Sequence, residues 1–400
     1  MPELSLRYII EIDDQLTPRE LKERVFTGVE TKMSHTRETS RKQNVRVIPI
    51  EGREFFLELI ISFSATDLEQ LGSSILLQIM LGNAFRSPHV RSLVLVDFYI
   101  DESSGFFPGP RYGSNVYSKL LDDAKGAICF PMSSGLSTEE WKSIVSDAIT
   151  AGIEMFCDSP FSANSAATVA QRVEYLKSKS GEAKFLYFFA GNGPLTRLRE
   201  IVDVISKTPD GSRYLGIRAC PWSIGFEIVH LIREASVPLM LYSMFDLSMR
   251  SSGAKAISLP SSLVIQRFIG GDLIAIGLTT DEALADPSAE YAVRCTEPMT
   301  FRDGTALKPA IPLFAGDLTP RKAYNLVRSH GPGIALQAKK PLLRPISSSH
   351  SSEHSLAHAL KFNVMAFKEA INLAASGGDA DAEFESGGSR VQSWIKYERK

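Results

Sequence analysis

The sequence lacks any clustering of cysteine. Its 400 residues include four cysteines, and no two of them form a Cys-x-x-Cys pair. This spacing argues against the common zinc-finger patterns and against the disulfide frameworks of small secreted domains. We therefore expect reduced thiols and a cytoplasmic protein. The cysteines are Cys129, Cys157, Cys220 and Cys295.

An excess of charge of one sign is also absent. The chain has 44 Lys and Arg residues against 46 Asp and Glu residues, which gives a formal net charge of −2. Such a balance offers no bulk attraction for a polyanion. We therefore expect neither nucleic acid nor a membrane surface as a partner.

Long hydrophobic runs are missing too. No stretch approaches the roughly 18 apolar residues that a membrane-spanning helix needs. Residues Met1-Pro2-Glu3 do not begin the basic and then apolar pattern of a secretory signal. Both absences favour the same cytoplasmic localisation.

Apolar residues are nevertheless plentiful, at 44% of the chain against 22% charged residues, which is enough in this length for two domains with their own cores. Helical periodicity occurs near residues 17–31 and 66–84. Strand-like alternation occurs in four segments, 5–12, 46–52, 55–63 and 93–100. The pattern predicts a small α+β domain with an open sheet over residues 1–106.

From Gly126 onward, strands and helices alternate with short turns, which predicts a parallel sheet joined by right-handed crossovers. Ser137 and Glu140 form a capping box that begins the first helix of this region. Eight strand and helix units in about 250 residues indicate a (β/α)8 TIM barrel over 107–375, followed by a flexible tail over 376–400. The predicted strands are 127–131, 153–157, 184–189, 214–219, 238–243, 273–277, 311–315 and 333–337.

Five short motifs, in this order and spacing, resemble those of the RuBisCO large-subunit superfamily over residues 5 to 372. The resemblance implies the same α/β architecture, in which a small α+β domain precedes a (β/α)8 barrel, and it indicates a RuBisCO-like protein. It also implies a homodimer with composite sites. The motifs are Leu81-Gly82-Asn83, Phe107-Pro108-Gly109-Pro110-Arg111-Tyr112-Gly113, Gly135-Leu136-Ser137, Gly152-Ile153-Glu154 and Gly270-Gly271-Asp272.

The metal-binding motif of that family is altered. The family has Lys-x-Asp-Glu after the second barrel strand, where a carbamylated lysine and two carboxylates hold a divalent cation. This chain has Cys157-Asp158-Ser159-Pro160 instead. A single acid is a poor site for a hard cation, so we expect no metal and no other cofactor.

The acid and base residues of the family are replaced as well. No lysine lies in the segment from Cys129 to Ser134, the sixth-strand histidine is replaced near Ala275, and the mobile-loop lysine falls near Glu282. At the family's phosphate site, Asp317 would repel an anion, whereas Lys339 or Lys340 could attract one or could be solvated loop charges.

Two residues of the N-terminal domain match the family. The resemblance implies that Asn83 and Glu30 reach into the partner subunit's site. The alternatives are that Asn83 caps the helix that ends there and that Glu30 is a solvated charge.

Substrate chemistry in a TIM barrel is expected at the carboxyl ends of the strands. Asp246 and Tyr242 lie four residues apart there and could form an acid and base pair, or Asp246 could cap the next helix. Asp158 is a further catalytic candidate, and Cys157 is either a nucleophile or a buried core cysteine. The residues expected to contact a ligand are Asn83, Glu30, Ser133, Cys157, Ser159, Asn192, Arg218, Trp222, Asp317 and Lys339.

Aromatic and sulfur-bearing residues among these positions suggest a ligand that is less polar than a sugar bisphosphate. The expected lining residues are Phe130, Met132, Phe189, Trp222, Met244 and Phe245. The sequence therefore favours an enzyme, without carboxylase activity, that acts without metal on a small and relatively apolar carbonyl compound in specialised metabolism. Proton transfer, isomerisation, elimination and ring closure fit this description. A catalytically inactive protein that binds a ligand or a protein is the alternative, and a methionine-salvage enolase or isomerase is a weaker one.

Overall fold

The structure is a computed structural model that describes residues 4–33, 45–64, 75–82, 87–100, 107–114, 126–181, 184–242, 256–277, 294–301, 304–343 and 356–385. Within helix α1, nothing is described of the side chains of residues 30–33. No helix in these ranges is long and apolar enough to cross a membrane.

The N-terminal part of the chain forms a sheet with helix α1 (Pro18–Met33) beside it. Strand β1 pairs antiparallel with both β3 and β4, and β2 pairs antiparallel with β3. Alternate residues of β1, beginning with Leu4 and Leu6, are fully buried, as expected for a strand with one core-facing side. The strands are β1 (Leu4–Ile12), β2 (Val45–Pro49), β3 (Phe56–Phe63) and β4 (Val90–Ile100).

Eight parallel strands then close into a barrel, so the predicted architecture is confirmed. Each of the eight predicted barrel strands overlaps an observed one. Four of the eight are buried along their whole length and the other four at every residue but the last, because the barrel interior covers one side and the helices cover the other. The strands are β5 (Ala127–Pro131), β6 (Met155–Cys157), β7 (Leu186–Ala190), β8 (Leu215–Ala219), β9 (Leu239–Tyr242), β11 (Leu273–Gly277), β14 (Ile311–Ala315) and β15 (Ala335–Gln337).

Helices follow most of these strands, and four of them begin at a side-chain cap. Ser137 caps the first barrel helix, and Glu140 completes the predicted capping box. Ser165, Ser258 and Thr319 cap three later helices in the same way, each accepting a backbone N–H. The helices are α2 (Thr138–Thr150), α3 (Ala166–Ser180), α4 (Leu195–Ser206), α5 (Pro221–Ile224), α6 (Phe226–Glu234), α7 (Leu259–Phe268), α8 (Pro320–His330), α9 (Leu356–Ala375) and α10 (Ala380–Glu385).

The segment before the barrel is anchored at the amino ends of the strands. Asp272, which precedes β11, accepts the backbone N–H groups of Tyr112 and Gly113 at 2.8 and 2.7 Å and that of Leu239 at 3.0 Å. Gly113 has φ +63°, and a Cβ there would lie 2.6 Å from the carbonyl oxygen of Pro309. This position therefore needs glycine for both its backbone conformation and its close packing.

Three smaller strands complete the structure. Strand β10 (Ala256–Ile257) adds in parallel to β4, so the first sheet reads β10-β4-β1-β3-β2. Strands β12 (Met299–Thr300) and β13 (Ala306–Leu307) form a separate hairpin.

The start of the predicted flexible tail is ordered. Helix α10 places Ala380 against Ala370 and Leu373 of α9, and the Tyr324 hydroxyl donates to the Gly378 carbonyl at 2.8 Å. Small apolar residues here bury enough surface to hold the segment in place, which its Gly, Ser and Asp content did not suggest.

Candidate active site at the carboxyl end of the barrel

Parallel barrel strands bring their carboxyl ends to one face, and polar side chains from four of them meet there. Cys157 ends β6, Gln337 ends β15, Tyr242 ends β9, and Arg218 is the penultimate residue of β8. We call this group, together with Asn192, Ser133 and Lys339 from the loops after β7, β5 and β15, the mouth cluster.

A buried cation lies beside a buried thiol. Arg218 Nη1 is 3.4 Å from Cys157 Sγ and donates to the Asp158 carbonyl oxygen at 2.9 Å. Arg218 is 7% exposed and Cys157 is fully buried. A guanidinium stays charged in proteins, and burying that charge is costly unless an anion or strong acceptors compensate it. The arrangement therefore favours the thiolate form of Cys157.

A second thiol supports this form. Cys129, on the neighbouring strand β5, donates its S–H to Cys157 Sγ at 3.7 Å. This hydrogen bond lowers the pKa of the Cys157 thiol; the charges of Arg218 and Lys339 lower it further, against the effects of burial and of Asp158. Burial raises the pKa of Cys129, so this thiol keeps its proton. The two cysteines are chemically distinct although they touch.

A phenol forms the next part of the cluster. The Tyr242 hydroxyl contacts the Asn192 side-chain amide, and the Arg218 guanidinium lies 4.7 Å from the centre of the Tyr242 ring. Asn192 is held in turn, because it accepts the Cys220 backbone N–H at 3.2 Å and donates to the Pro160 carbonyl at 3.3 Å. Burial raises the pKa of Tyr242, so its hydroxyl stays protonated.

An ammonium group lies at the edge of the cluster. Lys339 Nζ donates to Ser133 Oγ at 2.7 Å across the loops after β15 and β5. Lys339 is half-buried, and burial lowers the pKa of its amine. The Gln337 amide oxygen lies 3.6 Å from Cys157 Sγ on the same side of the mouth. Lys339 and Gln337, which are near Cys157 on this side of the mouth, are therefore only half-buried.

Asp158, a predicted catalytic residue, does not face the mouth. Its carboxylate accepts the Tyr187 hydroxyl at 2.6 Å, the Asn164 amide at 2.9 Å and the Ala190 N–H at 3.2 Å, and lies 3.6 Å from Arg172. The reason is strand alternation, since the residue after an inward-facing Cys157 turns toward the helices.

This outward carboxylate belongs to a buried network. Tyr187 accepts the Trp141 indole N–H at 2.7 Å, and the Arg172 guanidinium lies 4.9 Å from the Trp141 ring centre. Burial raises the pKa of Asp158 against these partners. Phe189, expected in the pocket lining, packs on Tyr187 with ring centres 4.8 Å apart and so lies in the helix-facing layer as well. Phe130, next to the inward-facing Cys129, is directed to that layer by the same alternation.

The other predicted contact residues lie around the mouth. Ser159 accepts the Phe161 N–H at 3.3 Å in the loop after β6. Trp222 is the second residue of the short helix α5 after β8 and packs against Phe226 with ring centres 5.8 Å apart. Asp317 is exposed beyond β14.

Several predicted positions lie outside the described residues. Asp246, Asn83, Met244 and Phe245 are among these, and nothing is described of the Glu30 side chain. The predicted pairing of Tyr242 with Asp246 therefore remains a prediction.

Sequence reasoning missed the group that activates Cys157. Arg218 was expected to contact a ligand, but its contact with Cys157, 61 residues away in the chain, was not predicted. Gln337 and the role of Cys129 were not singled out either. Their positions along the predicted strands could have indicated them, because each of these residues lies at or near the carboxyl end of a strand.

The divalent cation implied by the RuBisCO resemblance does not fit these residues. A hard cation requires several oxygen ligands. After β6, the carboxylate of Asp158 is occupied by buried donors, and Cys157 offers sulfur beside the positive Arg218. Among the described residues, no group of three or more His, Cys, Asp and Glu side chains could hold a metal ion.

Comparison with known proteins supports the fold. No protein-family model matches the chain, and no curated protein matches it in sequence. Among solved structures, an octameric ribulose-1,5-bisphosphate carboxylase/oxygenase from Pyrococcus horikoshii OT3 is 17% identical with a TM-score of 0.76, covering 100% of this chain and 93% of that one. A dimeric archaeal RuBisCO from Hyperthermus butylicus is 15% identical with a TM-score of 0.75, covering 100% and 96%. The chain is thus a divergent RuBisCO-like fold.

Proposed function

We propose that this protein is a metal-independent enzyme that moves a proton on a small carbonyl compound at the carboxyl end of its barrel. The observation that carries the proposal is the contact between Cys157 Sγ and the buried Arg218 guanidinium, 3.4 Å apart. It joins a base to a fixed positive charge at the position where TIM-barrel enzymes hold their substrates.

Cys157 is the proposed base. Its thiolate removes a proton from the carbon next to the carbonyl group, and the electron pair moves to the carbonyl oxygen. Arg218 stabilises the resulting enolate, because a preorganised charge in a buried site acts on developing negative charge without needing to reorganise. The Arg218 Nε atom is buried without a hydrogen-bond partner among the described residues, so it can serve this oxygen.

Tyr242 is the proposed acid. Its raised pKa keeps the hydroxyl protonated, and Asn192 fixes its position. The phenol protonates the enolate at a neighbouring atom, and the proton held by Cys157 returns to Tyr242 directly or through Asp246. The net result is an isomerisation in which every proton is accounted for and no oxidant is required. Elimination or ring closure would start from the same enolate.

Lys339 and Ser133 are proposed to hold a polar end of the substrate. The half-buried ammonium lies beside a hydroxyl at 2.7 Å and can bind a carboxylate or carbonyl oxygen. Met132, buried in the loop after β5, and Trp222, buried in helix α5 after β8, support a ligand with an apolar part. The chemistry favours an organic acid or ketone of modest polarity over a sugar bisphosphate.

The test is solvent deuterium exchange. Purified protein in D2O with EDTA is incubated with metabolite extract from the source organism and with a set of ketones and keto acids. Mass spectrometry then follows deuterium uptake and any product. We expect one compound to exchange or convert, and we expect Cys157→Ser and Arg218→Gln to abolish this.

The matched control for this test is Cys295→Ser, because Cys295 is another buried cysteine but is packed near Arg267 outside the mouth cluster. It should retain full exchange. Exchange that survives in Cys157→Ser would refute the assigned base.

Binding without turnover is the second candidate. The complete burial of Cys157 favours it, because a base must reach its substrate. In the same experiment, a compound that is retained by the protein but neither exchanged nor converted would support binding alone.

We further propose that the protein forms a homodimer. The similar proteins include one described as dimeric and one described as octameric, and the expected composite site involving Asn83 and Glu30 requires a partner subunit. Light scattering on the purified chain should give twice the monomer mass of 44.0 kDa. A monomer at micromolar concentration would contradict this.

A further inference from the structure

We propose that Cys129 and Cys157 form a peroxide-sensitive pair, in which Cys157 is oxidised first and Cys129 then closes an intramolecular disulfide across β5 and β6. This modification site goes beyond the proposed reaction and does not depend on which compound the enzyme uses. It requires only the two thiols and the charges around them.

The geometry places the sulfur atoms in direct contact. Strands β5 and β6 are neighbours in the barrel, and Pro131 pairs with Cys157 in their register. The two Sγ atoms are 3.7 Å apart, with the Cys129 thiol directed at Cys157. A disulfide bond is about 2.05 Å long, so the sulfurs must approach by about 1.7 Å. Because Cys129 pairs with Met155, Cys157 lies two residues further along the neighbouring strand, and closing the bond requires a backbone shift of these strands as well as side-chain rotation.

The environment assigns different roles to the two thiols. Cys157 lies 3.4 Å from Arg218 Nη1, and the thiolate is the form that attacks peroxides. Burial is the main influence on the pKa of Cys129, and it raises that pKa. Cys129 touches the sulfur that is oxidised, so it can attack that sulfur as its own proton passes to the departing sulfenic oxygen.

The chemistry balances with hydrogen peroxide as the oxidant. The Cys157 thiolate attacks one peroxide oxygen, the O–O bond breaks, and hydroxide leaves, so Cys157 becomes a sulfenic acid. The Cys129 sulfur then attacks the Cys157 sulfur; the S–O bond breaks and, with the proton of Cys129, water leaves. Both cysteine sulfurs are oxidised by one unit each, and one peroxide is reduced to the level of water.

The residues that cover Cys157 on the mouth side are only partly buried. Gln337 and Lys339 lie on the outer side of Cys157 and are both half-buried, and Ser133 beside Lys339 is exposed. Peroxide is comparable to water in size, so side-chain motion at these residues is sufficient for entry. Oxidation would remove the thiolate next to Arg218 and thereby stop any reaction that uses Cys157 as a base.

The remaining cysteines provide internal controls. Cys220 and Cys295 are also buried, and neither makes a sulfur to sulfur contact in the part of the chain that the structure describes. Burial raises the pKa of Cys295 to about 12, so its thiolate population at neutral pH is negligible. The four cysteines thus differ in their environment within one molecule.

The experiment treats the full-length protein with hydrogen peroxide, blocks the remaining thiols, and maps them by mass spectrometry. We expect the wild type to lose two thiols, to yield one cross-linked peptide that joins Cys129 to Cys157, and to recover both thiols with dithiothreitol. Cys129→Ser should accumulate a sulfenic acid at Cys157 that dimedone captures. Cys220→Ser and Cys295→Ser should form the same cross-link as the wild type.

Two results would overturn the proposal: four free thiols after treatment that oxidises a free-cysteine standard, or a disulfide that involves Cys220 or Cys295. The wild-type peptide map does not require any variant to fold. Arg218→Gln adds a second measurement, in which the rate of Cys157 oxidation at pH 7 should fall roughly tenfold for each unit by which the thiol pKa rises. If deuterium exchange fails but the cross-link forms, only the proposed reaction is wrong.

Discussion

Replacing Asp158 by Asn should destabilise the fold, and the size of the effect follows from its buried contacts. The carboxylate accepts three hydrogen bonds and lies 3.6 Å from Arg172, and the two side chains are 1% and 4% exposed. An amide removes the negative charge and turns an N–H2 group toward donors. Arg172 then becomes a buried charge without its partner.

Breaking a buried ion pair by removing one partner costs about 3–5 kcal/mol. An unfolding entropy of about 2.1 cal/mol/K per residue over 400 residues is about 0.8 kcal/mol/K. The expected decrease in Tm is therefore about 4–6 °C. Differential scanning calorimetry of wild type and Asp158→Asn measures it directly.

Asp317→Asn is the matched control, because Asp317 is an exposed carboxylate at the same end of the barrel. Its Tm should stay within about 1 °C of the wild type, as is usual for surface substitutions. If Asp158→Asn also melts within 1 °C of the wild type, the buried network is not stabilising and the structural role of Asp158 is refuted. If Asp158→Asn instead loses turnover while its Tm is unchanged, Asp158 has a catalytic role.

Three further predictions follow from particular groups. Asp246→Asn should abolish the turnover found by deuterium exchange while Tm changes by no more than a few degrees, and retained activity would remove Asp246 from the mechanism. Burial raises the pKa of Asp272 to about 6 from 3.8, so the folded state binds a proton more tightly than the unfolded state does. Its contribution to the free energy of unfolding should therefore fall by about 2.4 kcal/mol as pH rises from 4 to 7. Chemical denaturation across this range should show that fall in the wild type and a flatter profile in Asp272→Asn; equal slopes would contradict it. Isothermal titration with Mg²⁺ and bicarbonate should give no saturable heat, because Cys157 and Asp158 do not form an oxygen-rich site; stoichiometric binding would contradict this.

The sequence alone determined the architecture, because the physical signals for it are local. Buried parallel strands are continuous apolar runs, as in Leu186–Ala190, and all eight could be located from such runs and the turns between them. The capping box at Ser137 is likewise encoded within four residues. A TIM barrel carries its active site at the carboxyl ends of its strands, so the predicted barrel also located the candidate site.

Tertiary structure decided which side chains meet at that mouth. Cys157 and Asp158 are neighbours in sequence, yet alternation directs one toward Arg218 and the other toward Tyr187, and that alternation became readable only with the register of the strands. The activation of Cys157 depends on a charge 61 residues away and on a thiol 28 residues away. Electrostatic effects act through distance in space, which sequence spacing does not report.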